Sequence, residues 1–511
     1  MSLTDLASDH LRKAALSYPR QIAIENDGRA LSWSEFDEAV ERLARRLVAA
    51  GLAPGQSVMI LSENSPEFLI SCFAVWRAAG TMAVVHASFA PEQLDYAVRN
   101  AEPHFLFAEV EYRAAAQAAL ERTGTPARII DLEMCVEPMG DMAAFDGELP
   151  KADPAAAGVI GYTSGTTGMP KPVALSHGTI GHGTQACAKI WRIDSADTIL
   201  VSMPLSWLAG LIILSTTATS CGAKIHLLRR LTAEDALDAL TGHGVTFFFG
   251  PTSSYVKMLN AWHQRGATGE FRLRCCISGG EARNEAIFGE WRDLTGIPVL
   301  DSYGASECWP FVTHDPGIAT LPPPGSAGKL VEGARLRLVG PEGQEVAPGE
   351  VGEAQGLAPC MLMEYWKEPE LTAQAMTSDG WYRIGDCARV DGDGYVYILG
   401  RASDAIVRNG TQVFPAEVEQ VLSELDAVAQ VAVVGLPDPD HGQSVAAAVV
   451  LRGGATADEA AMRAHCAARL AEAKIPGIIR IVKELPHNPS GKVLRREVIP
   501  MLSSMQEAKK G

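Results

Sequence analysis

The sequence lacks closely spaced C-x-x-C cysteine pairs and long apolar runs. Its ten cysteines include no C-x-x-C pair, which argues against a disulfide framework or a zinc site of that type and is typical of reduced cytosolic proteins. No signal-type apolar stretch lies near residue 1, and the most apolar segment, 207–221, is interrupted by Ser and Thr and is shorter than the ~20 residues that a bilayer needs. We therefore expect a cytoplasmic protein without a membrane span.

Basic charge is also scarce, and this excludes another class of partner. The chain has 44 Lys and Arg against 61 Asp and Glu, a formal net charge of −17, which repels nucleic-acid phosphates and anionic membranes. An anionic ligand must therefore be held by a local arrangement. The composition is ordinary for a globular protein and excludes native disorder, and 511 residues predict about two to four domains. A monomer and a homodimer both remain open.

Helix-length amphipathic segments alternate with short apolar runs from about residue 30 to residue 301. Apolar runs at 57–61 and 82–86, for example, flank a helical pattern at 67–79, which indicates βαβ units and a parallel sheet. We predict an α/β protein with two doubly wound halves, followed after residue 310 by a Gly- and Pro-punctuated antiparallel or barrel-like section. The predicted domains are 1–402 and a small α+β unit, 403–511.

The strongest motif follows the apolar run 159–161 and ends in a lysine. It reads Tyr162-Thr163-Ser164-Gly165-Thr166-Thr167-Gly168-Met169-Pro170-Lys171. Hydroxyls, flexible backbone N–H groups and one ammonium suit phosphate oxygens, because small residues permit close approach. The P-loop signature is absent, since no Lys-Ser or Lys-Thr follows the second glycine. A surface linker rich in Ser, Thr and Gly is the alternative interpretation.

Two further segments end predicted strands. They are Ile277-Ser278-Gly279-Gly280-Glu281 and Asp301-Ser302-Tyr303-Gly304-Ala305-Ser306-Glu307. Ligands of open α/β sheets bind beyond the carboxyl ends of the strands, so all three segments are expected at one cleft. Tyr303 could stack on a base and Glu307 could bind a hard cation; singly, these segments could also be a tight turn and a core aromatic.

The last candidates lie near the predicted domain boundary and in the small unit. The carboxylate of Asp386 could accept two hydrogen bonds from a ribose diol, and Arg401 stays charged at any working pH. Lys492 ends the Gly-containing segment 488–492. An isolated loop lysine is more often a solvated surface group.

Taken together, these motifs resemble those of the acyl-adenylate-forming enzymes, which include acyl- and aryl-CoA ligases, peptide-synthetase adenylation domains and luciferases. The resemblance runs from Leu31 to Arg495 in the family's order and spacing. It implies that a carboxylate attacks the α-phosphate of MgATP to give an acyl-adenylate and pyrophosphate, after which a thiol displaces AMP. ATP, Mg²⁺ and CoA, or the phosphopantetheine of a carrier protein, are the implied cofactors.

The resemblance also assigns roles. Lys492 would bridge the acid and the α-phosphate, Ser306 would touch the α-phosphate, and Glu307 would hold Mg²⁺. The remaining phosphate-binding residues would be Thr163, Ser164, Gly165, Thr166, Thr167, Gly168 and Lys171. Gly279, Gly280, Glu281 and Tyr303 would frame adenine, and Asp386 and Arg401 would bind ribose. Asp301, Ser302 and Gly304 would also belong to the nucleotide site. The small domain would rotate about Ser403 between the two steps, and Arg408 and Gly410 would line the thiol tunnel.

The sequence departs from the family pattern at three positions. Pro172 replaces the usual glycine after Lys171 and removes a backbone donor. Trp207 stands where many CoA ligases have His, so a bulky indole could shorten the pocket. Ser403 replaces the common Asp of the hinge.

The lack of an acidic side chain in the expected acyl pocket limits which carboxylic acid the enzyme would activate. The stretch 207–219 has no acidic residue that could pair with a buried ammonium, so an α-amino acid is not expected. An aryl or a short- to medium-chain aliphatic acid is favoured, although each lining residue could equally be ordinary core. The expected lining is Trp207, Ala209, Leu211, Ile212, Phe249 and Thr252.

The acceptor thiol is less constrained. Arg408, Lys474, Arg495 and Arg496 could bind the phosphates of CoA, whereas an acyl carrier protein loaded in trans is the main alternative. No fused carrier domain follows Lys492, which favours a stand-alone ligase. A non-catalytic acyl-adenylate or nucleotide-binding protein is a remote alternative, against which the retained Lys492, Glu307, Asp386 and Arg401 argue.

Overall fold

The computed structural model describes residues 6–135, 145–163, 169–266, 269–281, 283–486 and 493–507. Its first part alternates strands with helices, as the sequence predicts. The elements are α1 (Ala7–Ser17), β1 (Ile22–Asn26), β2 (Arg29–Ser32), α2 (Trp33–Ala49), β3 (Ser57–Leu61), α3 (Pro66–Arg77), β4 (Thr81–Val85), α4 (Pro91–Ala101), β5 (Phe105–Ala108), α5 (Arg113–Thr123), β6 (Arg128–Asp131), β7 (Ala157–Thr163) and β8 (Lys171–Ser176).

A second α/β part follows and contains one irregular helix. Its elements are α6 (His177–Ile190), β9 (Thr198–Val201), a π-helix (Ala209–Thr216), α7 (Thr217–Cys221), β10 (Lys224–Leu227), α8 (Ala233–Gly242), β11 (Phe247–Gly250), α9 (Thr252–Arg265), β12 (Cys275–Gly279), α10 (Glu285–Thr295), β13 (Val299–Ala305) and β14 (Cys308–Thr313).

Short strands and then a small α+β unit complete the chain. They are β15 (Lys329–Leu330), β16 (Arg335–Val339), β17 (Gly352–Leu357), β18 (Cys360–Met361), β19 (Glu364–Tyr365), α11 (Pro369–Ala375), β20 (Tyr382–Val390), β21 (Val396–Arg401), β22 (Ile406–Arg408), β23 (Thr411–Val413), α12 (Pro415–Ser423), β24 (Val428–Asp438), β25 (Gly442–Leu451), α13 (Glu459–Ala467), β26 (Ile478–Val482) and α14 (Arg495–Glu507).

Two large sheets carry the predicted doubly wound halves, and the predicted α/β fold class is confirmed. One sheet has the order β19-β8-β7-β4-β3-β5-β6, and the other runs β15-β14-β13-β12-β11-β9-β10-β1-β2 with β18 beside β14. The inner strands pair in parallel, as in the β3–β4 register Ser57↔Thr81, and are buried along their length, as parallel sheets covered on both faces require.

The core lies between these sheets. Helix α3 is buried along its whole length; Ser65 caps it by accepting the Phe68 N–H at 3.1 Å, and Pro66 fills its first turn. Phe73 packs edge-on against Phe36 and Trp76, with ring centroids 5.4 and 5.1 Å apart. A single apolar cluster therefore unites both halves and sets their carboxyl edges side by side.

The predicted antiparallel section is a four-stranded sheet of order β16-β17-β20-β21, and the small unit is a sheet of order β23-β22-β25-β24 with β26 beside β25. In the part of the chain that the structure describes, no helix has both the length and the apolar character of a membrane span. Every cysteine side chain described is a free thiol.

The sequence pattern predicts a helix from Leu208 and another over 458–473, and the structure differs from both predictions. The first segment is π-helical over Ala209–Thr216, and the second helix ends at Ala467. There Leu470 N–H bonds to the Cys466 carbonyl at 2.8 Å, and this turn lets Leu470 pack on the core of the small unit. The second strand of the β7–β8 hairpin was not predicted from sequence.

Candidate active site

The hairpin β7–β8 carries the predicted phosphate loop. Thr163 ends β7 and Lys171 begins β8 directly opposite, with the Thr163 hydroxyl donating to the Lys171 carbonyl at 3.4 Å. Strand β7 is parallel to β4, so the loop leaves from the carboxyl edge of the sheet. Of the predicted phosphate ligands, Ser164, Gly165, Thr166, Thr167 and Gly168 lie outside the described residues.

The ends of β12 and β13 form the neighbouring surface. Gly279 pairs with Ser302, and a Cβ on Gly279 would lie 2.7 Å from the Phe249 ring and 2.9 Å from the Ser302 carbonyl. Gly280 has φ +82°, which favours glycine. Close packing inside the protein therefore accounts for Gly279, whereas the exposed Gly280 leaves bare backbone that a flat ligand can approach closely.

Glu281 has a structural contact that the sequence did not reveal. Its carboxylate accepts the Ser253 N–H at 2.7 Å and the Ser253 hydroxyl at 2.9 Å. Ser253 is in the first turn of α9, where backbone donors lack helical partners. Glu281 therefore ties the start of α9 to the end of β12.

Glu307 lies with Ser306 in the two-residue turn between β13 and β14, where Ala305 pairs with Cys308. Glu307 is only 7% exposed, and its Oε1 accepts the Tyr365 hydroxyl at 2.7 Å. The ring of Tyr365 also lies 5.5 Å from Lys171 Nζ. Tyr365 thus links the predicted metal ligand to the predicted phosphate lysine, a role that the sequence analysis missed.

Asp386 gathers two other predicted residues around its carboxylate. It pairs with Arg401 across β20 and β21, with Arg401 Nε 3.1 Å from Oδ1, and it accepts the Tyr303 hydroxyl on Oδ2. Burial and the adjacent carboxylate raise the pKa of Tyr303, so its hydroxyl remains a donor. An ionised carboxylate has about four lone-pair sites, which leaves capacity for hydroxyl groups of a ligand.

The Asp301 side chain is largely buried. Burial raises the pKa of its carboxyl to about 7, while Arg283, at 3.9 Å, acts in the opposite direction. Gly304, by contrast, is exposed on the same strand. The segment 301–307 is therefore exposed at Gly304 in its middle and buried at Glu307.

The predicted acyl-pocket residues divide into two groups. Trp207 and Ala209 are half-buried, whereas Leu211 and Ile212 are completely buried in the core. The i→i+5 hydrogen bonding of a π-helix changes which side chains share a face. Phe249 is 6% exposed and packs on Trp191, and Thr252 contacts the Ser278 hydroxyl at 3.1 Å.

His86 is a neighbour of Trp207 that sequence reasoning missed. It follows the last residue of β4, and its ring lies 5.8 Å from the Trp207 ring. Burial lowers the pKa of His86, so it is a neutral donor and acceptor near pH 7. Leu208, next to Trp207, packs 2.7 Å from the Cβ position of Gly161 in β7. The entrance of the π-helix is thus fixed against the strand that leads into the phosphate loop.

The predicted hinge and tunnel residues lie in consecutive elements. Ser403 is in the short 3₁₀ helix Ala402–Asp404, and its hydroxyl donates to Asp404 at 3.2 Å. Asn409 and Gly410 form the two-residue turn between β22 and β23, both with positive φ, which is the type I′ pattern. Lys492 lies outside the described residues.

Three of the four cations considered for CoA phosphates have protein partners. Arg408 donates to the Ala473 carbonyl at 3.2 Å. Lys474 contacts Glu417 at 2.6 Å. Arg495 forms two bonds to the buried Glu419, at 2.6 and 2.8 Å. These side chains stabilise the small unit, so any phosphate contact there would compete with existing ion pairs.

Gly279 at the end of β12 and Glu307 just after β13 lie at the carboxyl ends of parallel strands, and the Tyr303 hydroxyl of β13 donates to Asp386, as expected of an adenylate-forming enzyme. A family profile described as "AMP-binding enzyme" matches residues 11–366, and a second, "AMP-binding enzyme C-terminal domain", matches residues 417–492. The chain belongs to the AMP-binding enzyme family, and it is an acid–thiol ligase that forms AMP. The resemblance seen in the sequence is confirmed.

Relatives cover almost the whole chain. A feruloyl-CoA synthase of Amycolatopsis sp is 32% identical over 96% of this chain and 98% of its own length. The fatty acid–[acyl-carrier-protein] ligase ScoC of Streptomyces coeruleorubidus is 30% identical over 94% and 93%. The crystal structure of ATP-bound MatB from Rhodopseudomonas palustris superposes with a TM-score of 0.86 at 27% identity, covering 97% of this chain and 98% of that one.

Proposed function

We propose that this enzyme converts an apolar carboxylic acid, aryl or short- to medium-chain aliphatic, to its acyl-adenylate and then transfers the acyl group to the thiol of CoA. The observation that carries the proposal is the arrangement of Lys171, Tyr365 and Glu307 beside the Asp386 cluster. In this arrangement one tyrosine links a cation suited to phosphates with a carboxylate suited to a metal, and this contact supports the proposal.

Glu307 fits Mg²⁺ in donor type and setting. Mg²⁺ prefers hard oxygen ligands and is usually held by one or two carboxylates together with substrate phosphates. The Tyr365 hydroxyl occupies Oε1 of Glu307 with a single bond, so other lone-pair sites of the carboxylate can serve an ion. Bound Mg²⁺ would supply charge stabilisation at the phosphates of ATP.

The other site residues have consistent proposed roles. Tyr303 and Gly279 would frame adenine, Asp386 and Arg401 would orient ribose, and Thr163 with Lys171 would contact phosphates. Domains 1–402 and 403–511 would rotate about Ser403. The half-buried Trp207 and Ala209 would border an acyl pocket whose described wall contains no carboxylate from 207 to 219.

A carrier protein is the second candidate acceptor. ScoC is named as a ligase for an acyl-carrier protein, and the ion pairs of Lys474 and Arg495 reduce the positive charge available to CoA. An ATP–pyrophosphate exchange assay over aryl and aliphatic acids of increasing length, followed by thiolation with CoA or with carrier protein, tests the proposal. Absence of exchange with every acid, and no difference between the parent enzyme and Lys492→Ala, would favour the non-catalytic alternative.

Tyr365→Phe is expected to lower adenylate formation about tenfold and to raise the Mg²⁺ concentration needed for half-maximal rate. The change removes a hydrogen bond to a carboxylate, worth about 1.5–3 kcal/mol, and retains the ring near Lys171. Steady-state exchange rates at varied Mg²⁺ give the measurement. Tyr397→Phe, which removes a hydroxyl bonded to Asp391 at 3.1 Å, is the control and should leave the Mg²⁺ dependence unchanged; an equal shift in both variants would contradict the positioning role.

Trp207→Ala is expected to shift acid preference toward longer tails. Removing the indole makes room for about two further methylenes, each worth about 0.8 kcal/mol when buried, which corresponds to about a tenfold gain in kcat/KM for the longer acid. Exchange kinetics across a homologous acid series measure it, with Trp207→Phe as the conservative control. An unchanged length preference in both variants would place Trp207 outside the pocket.

A further inference from the structure

Three potential metal ligands meet at one place on the ten-stranded sheet, away from the nucleotide site. Glu25 on β1 and His226 on β10 are directly paired residues of parallel strands, and His243 follows the last residue of α8. One ligand atom of each lies within 4.8 Å of the other two. Three segments distant in sequence therefore bring two imidazoles and one carboxylate together.

Two of the three distances between the ligand atoms are close to those of a tetrahedral ion site. His243 Nδ1 lies 3.0 Å from Glu25 Oε1, and His226 Nδ1 lies 3.6 Å from Glu25 Oε2. With metal–ligand bonds of about 2.0–2.2 Å, the ligand atoms of a tetrahedron are about 3.3–3.6 Å apart. Only small side-chain movements would be needed for the three atoms to share one ion.

His226 provides an independent indication of a ligand. It is 5% exposed, and its Nδ1 is a buried atom without a hydrogen-bond partner in the described part of the chain, since 3.6 Å to Glu25 is too long for one. An unpaired buried polar atom destabilises the fold, so it requires an explanation.

We propose that Glu25, His226 and His243 bind one divalent transition-metal ion of the Zn²⁺ type. Imidazole nitrogen suits Zn²⁺ and its neighbours in the first transition row, whereas Mg²⁺ prefers oxygen ligands. This ion is thus distinct from the Mg²⁺ proposed for the reaction. Three protein ligands leave a fourth position for water.

Lys224 is the competitor built into this site. Its ammonium lies 2.9 Å from Glu25 Oε2 and 3.4 Å from the His243 carbonyl. It neutralises the Glu25 carboxylate when no ion is bound, and it must withdraw when an ion binds. Lys224 therefore weakens metal affinity, and its removal should strengthen binding.

The position of the site suggests a stabilising role and no part in the chemistry. Strand β1 is four strands from β12 in the sheet, about 19 Å at ~4.8 Å per strand. An ion bound to the native state and absent from the unfolded chain stabilises the fold in proportion to its affinity and concentration. The bound ion would connect the β1–β2 hairpin to β10 and to the end of α8.

The test measures Zn²⁺ binding to the full chain, after removal of metals by a chelator, by calorimetry and by the change in melting temperature. One equivalent of Zn²⁺ should bind and raise the melting temperature, and an equal concentration of Mg²⁺ should not. His243→Ala changes a half-exposed side chain and should weaken Zn²⁺ binding by at least about 100-fold. Loss of a residue that only hydrogen-bonds to a metal ligand weakens binding by ~10–100-fold, so loss of a ligand itself should weaken it more. Lys224→Met should tighten binding several-fold.

The matched control is His263→Ala, which removes an exposed histidine paired with Glu290 at 2.7 Å and should leave Zn²⁺ affinity unchanged. Glu25→Gln gives a second ligand variant, and circular dichroism verifies that each variant is folded. The proposal is overturned by absence of Zn²⁺ binding to the parent protein, by unchanged affinity in His243→Ala, or by an equal loss in His263→Ala.

Discussion

Replacing Lys492 with alanine is expected to lower adenylate formation by about 10²-fold or more. The carboxylate and the α-phosphate are both anions, so the site must supply positive charge where they meet, and removal of one charge-stabilising group costs about 10²–10³ in rate. The described residues on either side of this segment contact each other and the small unit: Leu494 N–H bonds to the Pro486 carbonyl at 2.8 Å, and Arg495 is bound to Glu419 at 2.6 Å.

The two half-reactions should respond differently to this change. Transfer of the acyl group from supplied adenylate to the thiol should be much less affected, because rotation of the small domain would carry Lys492 away before that step. Pyrophosphate exchange and single-turnover thiolation measure the two steps separately. Lys483→Ala, an exposed lysine of the small unit, should leave both rates unchanged; equal losses of both rates in Lys492→Ala would contradict the rotation.

The sequence predicted the strands and helices best where burial is uniform. β3 has the predicted bounds, 57–61, because a fully buried parallel strand appears as an unbroken apolar run between polar turns. The π-helix was not predictable in this way. Leu211 and Ile212 within it are buried and Trp207 just before it is half-buried, and i→i+5 hydrogen bonding changes which side chains share a face.

The residues missed in the site are those whose role depends on contacts across the chain. The Tyr365 hydroxyl donates to Glu307, 58 residues away in sequence. The residues around Tyr365 in sequence do not distinguish it from an ordinary core aromatic. The bond between Glu281 and Ser253 likewise joins residues 28 apart. The sequence motifs identified the glycines and the charged residues of the site, whereas the fold determines which of their side chains are in contact.

The Asp386 cluster illustrates the opposite case, in which the motif and the geometry agree. Gly385 precedes Asp386 with φ +80°, and a Cβ there would lie 3.3 Å from Arg401 Nη1. The glycine is therefore part of the arrangement that brings Arg401 onto the carboxylate. The resemblance assigns Asp386 and Arg401 to the same part of a ligand, whereas their direct contact is seen only in the folded chain.

Glu307→Gln is expected to reduce adenylate formation by about 10²-fold. The glutamine amide keeps an oxygen that can accept the Tyr365 hydroxyl, so packing is preserved while the negative charge that would hold Mg²⁺ is lost. The charge stabilisation that a bound metal provides is several kcal/mol, and a loss of about 2.7 kcal/mol corresponds to 10²-fold in rate. Exchange rates measured over a range of Mg²⁺ concentrations should show both a lower maximum and a higher requirement for the ion.

A matched control separates metal binding from a general change of charge. Glu364→Gln removes a carboxylate from β19, next to Tyr365, without touching the turn between β13 and β14, and should leave the Mg²⁺ dependence as it is. Melting temperatures of both variants should stay close to that of the parent enzyme. If Glu307→Gln kept the parental rate and Mg²⁺ requirement, the metal would have to be held by other groups, and Tyr365 would then serve Lys171 alone.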